Sequence, residues 1–290
     1  MLLVVWLLAL LTVIVGEFIA SGRVKAAAEH NKRDDLRGLA LALAGYRAAE
    51  AALDGTIDGI KLDADGRLVL LYRDTTDWVL AAGEDVPFGD GTYSWRIDDE
   101  DGLVGLNSAN LSRKVLENLL RQCGMEPGVE RDTVIDSIID WRDSNHDHLL
   151  NGAEEDYYRG LDPPYSCKDG PFDVVEELLL VRGVTPRLFA GGDVEGQKKP
   201  GLRDLVSAGK TYPPNRWTAP LAVLEACVLS RPEPNERPPA LAGGRFVIRA
   251  EGKPAGGGPI RSLRAVVLRQ EEGDSRSFTL LYWNDIYIPE

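Results

Sequence analysis

The first part of the chain reads as one long helix. No proline occurs before Pro87, so nothing forces a break in a helix that begins at the first residue. Residues 1–16 carry no charge, and from Val24 onward apolar residues recur at helical spacing as far as Ala52. An apolar end that continues into an amphipathic segment is typical of an anchor joined to a packing face. The sequence therefore predicts a continuous helix over roughly the first fifty residues, closed by a glycine-containing turn.

Three interpretations compete for the apolar start. A membrane-spanning helix needs roughly 20 apolar residues, which this run reaches only if Glu17 lies at the membrane interface. A secretory signal peptide fits the length, and Ala20, Ser21 and Gly22 offer small residues for cleavage, but the positively charged start is absent. A buried helix is the third, although so long an uncharged run is unusual inside a water-soluble domain. We favour a membrane anchor over residues 1–22.

Composition limits the partners and the redox chemistry. The 290 residues carry a formal net charge of −13, which repels phosphate backbones and argues against nucleic-acid binding. The cysteines are Cys123, Cys167 and Cys227. No C-x-x-C pair occurs, so thiol redox chemistry and a zinc cage are disfavoured. If the chain lies outside the cytoplasm, Cys123 with Cys167 is the preferred disulfide, because both fall in one predicted subdomain.

The rest of the chain alternates between strand and helix signals. Residues 57–72 predict a β-hairpin with a turn at Asp63–Gly66, and residues 92–97 predict another strand. From Asn107 to about Ser230 the pattern is helical, with amphipathic segments at 133–141 and 172–181. Strand patterns return after a proline-rich linker, at residues 245–250, 262–269 and 277–283. A helical block flanked by strands predicts an α+β fold in which an antiparallel sheet carries an inserted helical subdomain.

The strongest chemical motif is an acidic loop that begins at Asp143. Counted from that residue, oxygen-bearing side chains occupy positions 1, 3, 5, 9 and 12, and position 7 supplies a backbone carbonyl, which is the calcium spacing of an EF-hand. Position 6 is His148 instead of glycine, so the turn must be built differently. The predicted calcium ligands are Asp143, Asn145, Asp147, Leu149, Asn151 and Glu154, with Asp140 and Glu155 as further members of the set.

Other interpretations of this loop stay open. It is also readable as a solvated acidic surface loop, or as a zinc site in which His146 and His148 act with Cys167. A calcium ion here would stabilise a loop that buries little, so we expect a structural role. The sequence lacks the nucleophile-elbow, P-loop, zinc-protease and dinucleotide-binding motifs. We therefore predict that the protein is not an enzyme, with a hydrolase using the carboxylates of residues 140–155 as the remaining enzymatic alternative.

Several segments together resemble one family, the K-subunit minor pseudopilins of type II (general) secretion systems. The apolar run at 5–14, with its tryptophan, resembles the start of that family's N-terminal helix. Residues 139–143, 152–158, 163–165 and 170–172 resemble its central domain, and residues 176–186 continue the match. These pieces span most of the chain, and their combination is more specific than any one of them.

The resemblance implies a pseudopilin fold, with a long N-terminal helix packed on an antiparallel sheet and a large inserted α-domain. It also implies calcium in the α-domain and a place at the pseudopilus tip, in complex with the I and J minor pseudopilins. The H subunit is a further candidate partner, together with the major pseudopilin. A single span in the inner membrane would leave the soluble part in the periplasm. Family members begin with a short basic leader ending in glycine, whereas here Met1 opens the apolar run directly.

On this basis the chain divides into four parts. We expect a membrane-anchoring helix segment at 1–22, a pseudopilin core of helix stalk and first strands at 23–106, the inserted α-domain with the calcium loop at 107–235, and C-terminal strands that complete the sheet at 236–290. The alternative function is a calcium-dependent minor pilin or adhesin-like binding module of a type IV pilus system.

Overall fold

The computed structural model describes residues 2–194, 196–233, 235–238, 240–241, 243–273 and 275–285. Met1 of the predicted anchor and residues 286–290 of the predicted C-terminal strands lie outside these ranges. Helix α1 spans Leu2–Leu53, 52 residues without interruption, which corresponds to about 78 Å at 1.5 Å per residue. The predicted continuous helix is confirmed. Among the described residues, no helix has both the length and the hydropathy that a membrane crossing requires.

The two halves of α1 have different surroundings. Its last three turns are buried against the sheet through Ala42, Tyr46 and Ala49. Gly45 lies at the closest approach, where an added Cβ would come within 3.1 Å of both the Ala250 Cβ and the Ser94 carbonyl oxygen. The N-terminal half instead exposes large apolar side chains that no described segment covers: Val4, Trp6, Leu10, Leu11, Ile14, Val15 and Phe18.

Twelve strands are described, and most pair with antiparallel neighbours. The first five are β1 (Ile57–Leu62), β2 (Leu68–Tyr72), β3 (Trp78–Leu80), β4 (Ala82–Phe88) and β5 (Gly91–Asp99). Four short strands follow: β6 (Val104–Gly105), β7 (Gly191–Val194), β8 (Gln197–Pro200) and β9 (Val206–Ser207). The last three are β10 (Gly243–Pro254), β11 (Arg261–Glu272) and β12 (Ser275–Asn284). The predicted hairpin is confirmed as β1 and β2, which pair around the Asp63–Gly66 turn.

The main sheet has the strand order β12-β11-β10-β5-β4. Strands β5 and β10 are hydrogen-bonded neighbours, with Ile97 opposite Ile248, although the whole helical block separates them in the sequence. The α+β architecture with a helical insertion in an antiparallel sheet is therefore confirmed. The single described parallel pair, β6 with β9, lies within the inserted region.

The inserted region has a hydrophobic cluster of its own, separate from the cluster beneath α1. Its helices are α2 (Arg113–Gln122), α3 (Val129–Arg142), α4 (Glu155–Arg159), α5 (Pro186–Ala190) and α6 (Leu221–Cys227). Helix α3 contains the amphipathic segment predicted at 133–141. Its buried side chains include Val134, Ile135 and Ile138, which fall on one face at helical spacing.

Two expectations are wrong within this region. The α-helix predicted over 172–181 is a 3₁₀ helix confined to Val175–Leu180, because Glu177 accepts hydrogen bonds from the backbone amides of Asp173 and Val174 and tightens the turn. The preferred Cys123–Cys167 disulfide is absent, since Cys123, Cys167 and Cys227 are all free thiols. Cys123 and Cys167 are buried in the helical core, and Cys227 is partly buried.

A buried polar network joins the insertion to the sheet where β5 ends. The Thr218 hydroxyl and the Asn215 side-chain amide both donate to one carboxylate oxygen of Asp99, at 2.5 and 3.0 Å. Beside it, the Arg245 guanidinium donates to Glu100 at 2.7 Å. The two domains are thus connected by hydrogen bonds as well as by the chain itself.

The Asp99 carboxyl should make this junction sensitive to pH. Burial raises its pKa from 3.8 to about 6, so its stabilising contribution is present below the unfolded-state pKa and is lost as the pH rises through 6. Asp99→Asn removes this titration. Between pH 4 and pH 7, the free energy of unfolding of the wild type should therefore fall relative to that of Asp99→Asn, as measured by urea denaturation. A pH-independent difference would contradict the assignment.

Candidate functional site

The acidic loop runs from the end of α3 to the start of α4, over residues 143–154. Helix α3 places Asp136 and Asp140 one turn apart, so both side chains face the loop. Asp140 is fully buried, and both its oxygens accept the backbone N–H of Leu149 at 3.2 Å. Asp136 accepts the backbone N–H of Asn151 at 3.1 Å. The last turns of α3 therefore hold the second half of the loop through its amides.

Gly152 is required by this arrangement. A Cβ built at residue 152 would lie 1.8 Å from Oδ2 of Asp140, so no side chain fits without moving a buried carboxylate. Burial raises the pKa of Asp140, and the Leu149 amide partly offsets that rise by stabilising the charged form.

Gly152→Ala should therefore lower the free energy of unfolding by about 1–3 kcal/mol, the usual cost of overpacking a closed site. The matched control is Gly170→Ala, because a Cβ there would meet only the Lys168 carbonyl oxygen at an ordinary 3.7 Å. Thermal or urea unfolding of the two variants checks this. Equal stabilities would show that Asp140 is free to move.

The first half of the loop is built from turns in which side chains accept backbone amides. Oδ1 of Asp143 accepts the N–H of Asn145 at 3.0 Å, and Oδ1 of Asn145 accepts the N–H of Asp147 at 2.8 Å. The loop backbone therefore curls around the side-chain oxygens on alternate residues. This local geometry follows from Asp and Asn at every second position, as the sequence pattern indicated.

Among the described residues, three side chains of types that can ligate a metal ion converge: His146, Glu154 and Asp169. One ligand atom from each lies within 4.8 Å of the other two, and Nδ1 of His146 is 3.2 Å from Oδ2 of Asp169. Glu154 is only 3% exposed, yet neither of its carboxylate oxygens accepts a hydrogen bond from a nitrogen or oxygen donor among the residues the structure describes. The Cys167 thiol, a weak donor, lies beside it. Burial raises its pKa to about 7, and the Asp169 carboxylate adds to the rise.

The buried Glu154 carboxylate destabilises the folded state unless its negative charge is neutralised. A buried carboxylate without partners either takes up a proton or binds a cation. Oδ1 of Asp169 is likewise buried without a hydrogen-bond partner in the described part of the chain. Two carboxylates with free oxygens, side by side at the end of an acidic loop, are a fitting donor set for a hard cation.

Glu155 has a different role from that of Glu154. Its oxygens receive the Arg159 guanidinium at 2.6 Å and the backbone N–H of Cys167 at 2.7 Å, and these contacts lower its pKa. Glu155 therefore fastens α4 to the chain that carries Asp169. Of the two adjacent glutamates in the predicted ligand set, only Glu154 has unoccupied oxygens.

Asp169 was not among the predicted ligands. It lies outside the loop, 15 positions after Glu154, so no local spacing rule reaches it. It adopts a left-handed backbone conformation with φ of 49°, which Asp tolerates better than most residues. An aspartate followed by glycine and proline at 169–171 predicts a turn, but only the fold places that turn beside Glu154.

Aromatic rings and one arginine fix the base of the loop. Trp141, Tyr158 and Tyr165 pack together, with 5.1 Å between the ring centroids of Trp141 and Tyr158. Arg182 donates to the Gly152 carbonyl oxygen at 3.0 Å and lies over the Tyr157 ring. The loop is thus held rigidly at both ends while its acidic face stays open.

Comparisons with known proteins identify this part of the chain. Residues 97–191 match the family described as Type II secretion system (T2SS), protein K. A curated Type II secretion system protein K from Aeromonas hydrophila is 31% identical over 121 residues, covering 36% of this chain and 36% of that protein. The protein of the same name from Klebsiella pneumoniae is 34% identical over 94 residues, covering 32% and 27%. The match thus spans about a third of the length of these curated relatives.

One solved structure matches over nearly the whole chain. It is described as the crystal structure of the GspK-GspI-GspJ complex from the enterotoxigenic Escherichia coli type 2 secretion system. The TM-score is 0.63 at 15% identity, covering 90% of this chain and 98% of the matched chain. At this identity the match shows the fold.

A long first helix on an antiparallel sheet, with a helical domain inserted between two neighbouring strands, defines the chain as a protein of the pseudopilin fold. Within that class, residues 97–191 match the type II secretion system protein K family, over about a third of the chain. The resemblance seen in the sequence is confirmed.

Proposed function

We propose that this chain is a minor pseudopilin of the type II secretion system, located at the pseudopilus tip, where it supports pseudopilus assembly and protein export across the outer membrane. The observation that carries the proposal is the match of residues 97–191 to protein K, within a chain whose overall fold is that of a GspK-complex structure. The type IV pilus alternative has no comparable support.

The shape of the molecule fits that position. The N-terminal half of α1 carries exposed apolar side chains such as Leu11 and Phe18, which need a membrane or neighbouring helices to cover them. The inserted helical domain adds bulk to the opposite part of the chain. A subunit of this form can be held from below through its helix, while its bulky domain blocks the addition of another subunit above it.

Partners and location follow as parts of the same proposal. The related solved structure contains GspK together with GspI and GspJ, so the counterparts of those two are the expected partners, with the H subunit and the major pseudopilin as neighbours. We place residues 1–22 in the inner membrane and the remainder in the periplasm. The division into a core at 23–106, an α-domain at 107–235 and strands at 236–290 belongs to this proposal.

We further propose that the acidic loop binds calcium for a structural purpose. Glu154 and Asp169 supply buried oxygens without partners, and the loop offers the side chains of Asp143, Asn145 and Asp147 with the Leu149 carbonyl. Calcium takes six to eight oxygens at about 2.3–2.6 Å, and it would neutralise the carboxylates. Asp140, Asn151 and Glu155 remain predicted ligands, although Asp140 and Glu155 already accept hydrogen bonds in the structure.

The family is a component of a secretion assembly, and we propose that this member has no catalytic activity. Two of the carboxylates that a hydrolase would use, those of Asp140 and Glu155, already accept hydrogen bonds that hold this region together. A purified chain should therefore do its work by binding other subunits.

Co-purification tests the proposed function. The full chain, tagged and co-expressed with the I- and J-type minor pseudopilins of its own secretion system, should recover both subunits in one complex. Deleting its gene should abolish secretion through that system, and a plasmid copy should restore it. A chain that binds neither subunit, together with unchanged secretion in the deletion strain, would contradict the proposal.

A further inference from the structure

The two edges of the main sheet are built differently. At one edge, β4 carries the acidic pair Glu84 and Asp85, followed by Pro87. Its register against β5 shifts between Gly83 and Val86, and Asp85 has a left-handed φ of 45°. Charge, proline and an irregular register are the devices that stop an edge strand from pairing with another chain.

Over residues 275–280, the opposite edge strand β12 has a regular register. Residues 275–280 of β12 pair without interruption with β11, from Ser275 opposite Glu272 to Leu280 opposite Val267. Six paired residues make a full strand of ordinary length. The segment contains no proline and one charged residue, Arg276, which already bonds to Thr56 and Glu271. In the described part of the molecule, β11 is the only strand hydrogen-bonded to β12.

Two apolar side chains, Phe278 and Leu280, lie on one face of this edge, whereas the exposed Ser275, Ser277 and Thr279 lie on the other face. Phe278 packs against the cluster beneath α1, and Leu280, two residues on, shares its face of the sheet. Leu280 is 51% exposed and the adjoining Leu281 is 44% exposed. The register skips Leu281, so the regular edge ends there with two neighbouring leucines open to solvent.

We propose that residues 275–280 of β12 are a docking edge, joined by an extended strand from a different protein chain as the sixth strand of the main sheet. The occupant must be a strand, because the open N–H and C=O groups recur along the edge at a spacing that only another extended backbone matches. It should carry apolar residues on the face that meets Phe278 and Leu280.

Charge argues for a different chain instead of a second copy. Each copy carries a formal net charge of −13, and the β11–β12 hairpin ends in the exposed Glu272. Two copies, each of that net charge, would repel one another as they approach, whereas a strand with a basic residue near Glu272 would be attracted to it. The choice of pseudopilins as the partner class rests on the proposed function.

Amide hydrogen exchange on the full chain tests the proposal directly. The probes are the purified I- and J-type minor pseudopilins of the same secretion system, each added to this chain. In a complex with one of them, amides within residues 275–280 should exchange roughly tenfold or more slowly, while β4 amides stay unchanged. A complex that leaves residues 275–280 unprotected overturns the docking edge, as does a homodimer of this chain that protects them.

A pair of matched variants provides a second test of the docking edge. Leu280→Lys places a charge on the proposed edge, and Phe88→Lys makes the equivalent change on β4, where Phe88 is 58% exposed. We expect Leu280→Lys to weaken binding by roughly tenfold or more and Phe88→Lys to leave it unchanged. Equal effects overturn the inference. If the wild-type chain binds neither pseudopilin, the proposed function and the docking edge both fail; if it binds without using β12, only the docking edge fails.

Discussion

Replacing Arg269 with methionine is expected to lower the free energy of unfolding by about 3–5 kcal/mol, the range measured when one partner of a buried charged network is removed. Arg269 is completely buried. Its guanidinium donates to the carbonyl oxygens of Leu53, Gly55 and Leu241 at 2.9 to 3.1 Å. Leu53 is the last residue of α1, where helix carbonyls lack partners within the helix, and Gly55 lies two residues beyond it.

The loss should be large because the substitution leaves those buried carbonyls unsatisfied. Glu271, 2.9 Å from the same guanidinium, would also lose one of its two arginine partners and keep only Arg276. The control is Arg67→Met, since the Arg67 side chain is 42% exposed and pairs with Asp63 and Asp65 at the surface. Exposed ion pairs contribute about 0–1 kcal/mol. Denaturant unfolding of both variants measures the difference, and similar losses would show that Arg269 does not secure the helix end.

Calcium should raise the thermal stability of the chain through Glu154. At a free calcium concentration about 100 times the dissociation constant, binding stabilises the folded state by about 2.7 kcal/mol. For a chain of this size that corresponds to a rise in Tm of roughly 5–10 °C. Glu154→Gln removes one of the two carboxylates with open oxygens, so we expect most of the rise to disappear in that variant.

Glu155→Gln is the matched control for this experiment. Both Glu155 oxygens are already engaged, by Arg159 and by the Cys167 amide, so the calcium-dependent rise should persist. Calorimetry of the metal-free and calcium-loaded forms makes the measurement, and Asp169→Asn should resemble Glu154→Gln. A calcium response that survives Glu154→Gln, or that vanishes with Glu155→Gln alone, would place the ion elsewhere in the loop.

Much of the architecture could be predicted because its signals are local. The absence of proline before Pro87 and the helical recurrence of apolar residues specify α1. The alternation in residues 245–250 and 262–269 specifies β10 and β11. The α-helix predicted over 172–181 is wrong because side-chain and backbone hydrogen bonds compete there. Glu177 accepts hydrogen bonds from the backbone amides of Asp173 and Val174, and only a short 3₁₀ helix forms. Side-chain capping of this kind is hard to anticipate, because the same glutamate can cap an α-helix or a 3₁₀ helix.

The candidate metal site could be predicted only where the spacing of Asp and Asn residues within the loop decides the structure. Alternate Asp and Asn residues from Asp143 to Asp147 form the turns that the pattern indicates. The separate roles of Glu154 and Glu155 were not predictable, because adjacent residues at the start of a helix point in different directions and only their neighbours decide which one is buried. Asp169 joins Glu154 through packing between distant segments, and no spacing within the loop encodes that contact.

By itself, the sequence determined the long helix, the strand segments, the acidic loop and the relationship to protein K, because each depends on residues close together in the chain. Tertiary structure decided that β5 and β10 are neighbours across the insertion and that Arg269 closes the end of α1. It also decided that β12 lies at an edge of the main sheet, where it pairs only with β11 among the described strands. These outcomes depend on which distant segments exclude water from each other, and burial then decides which charged groups keep their partners.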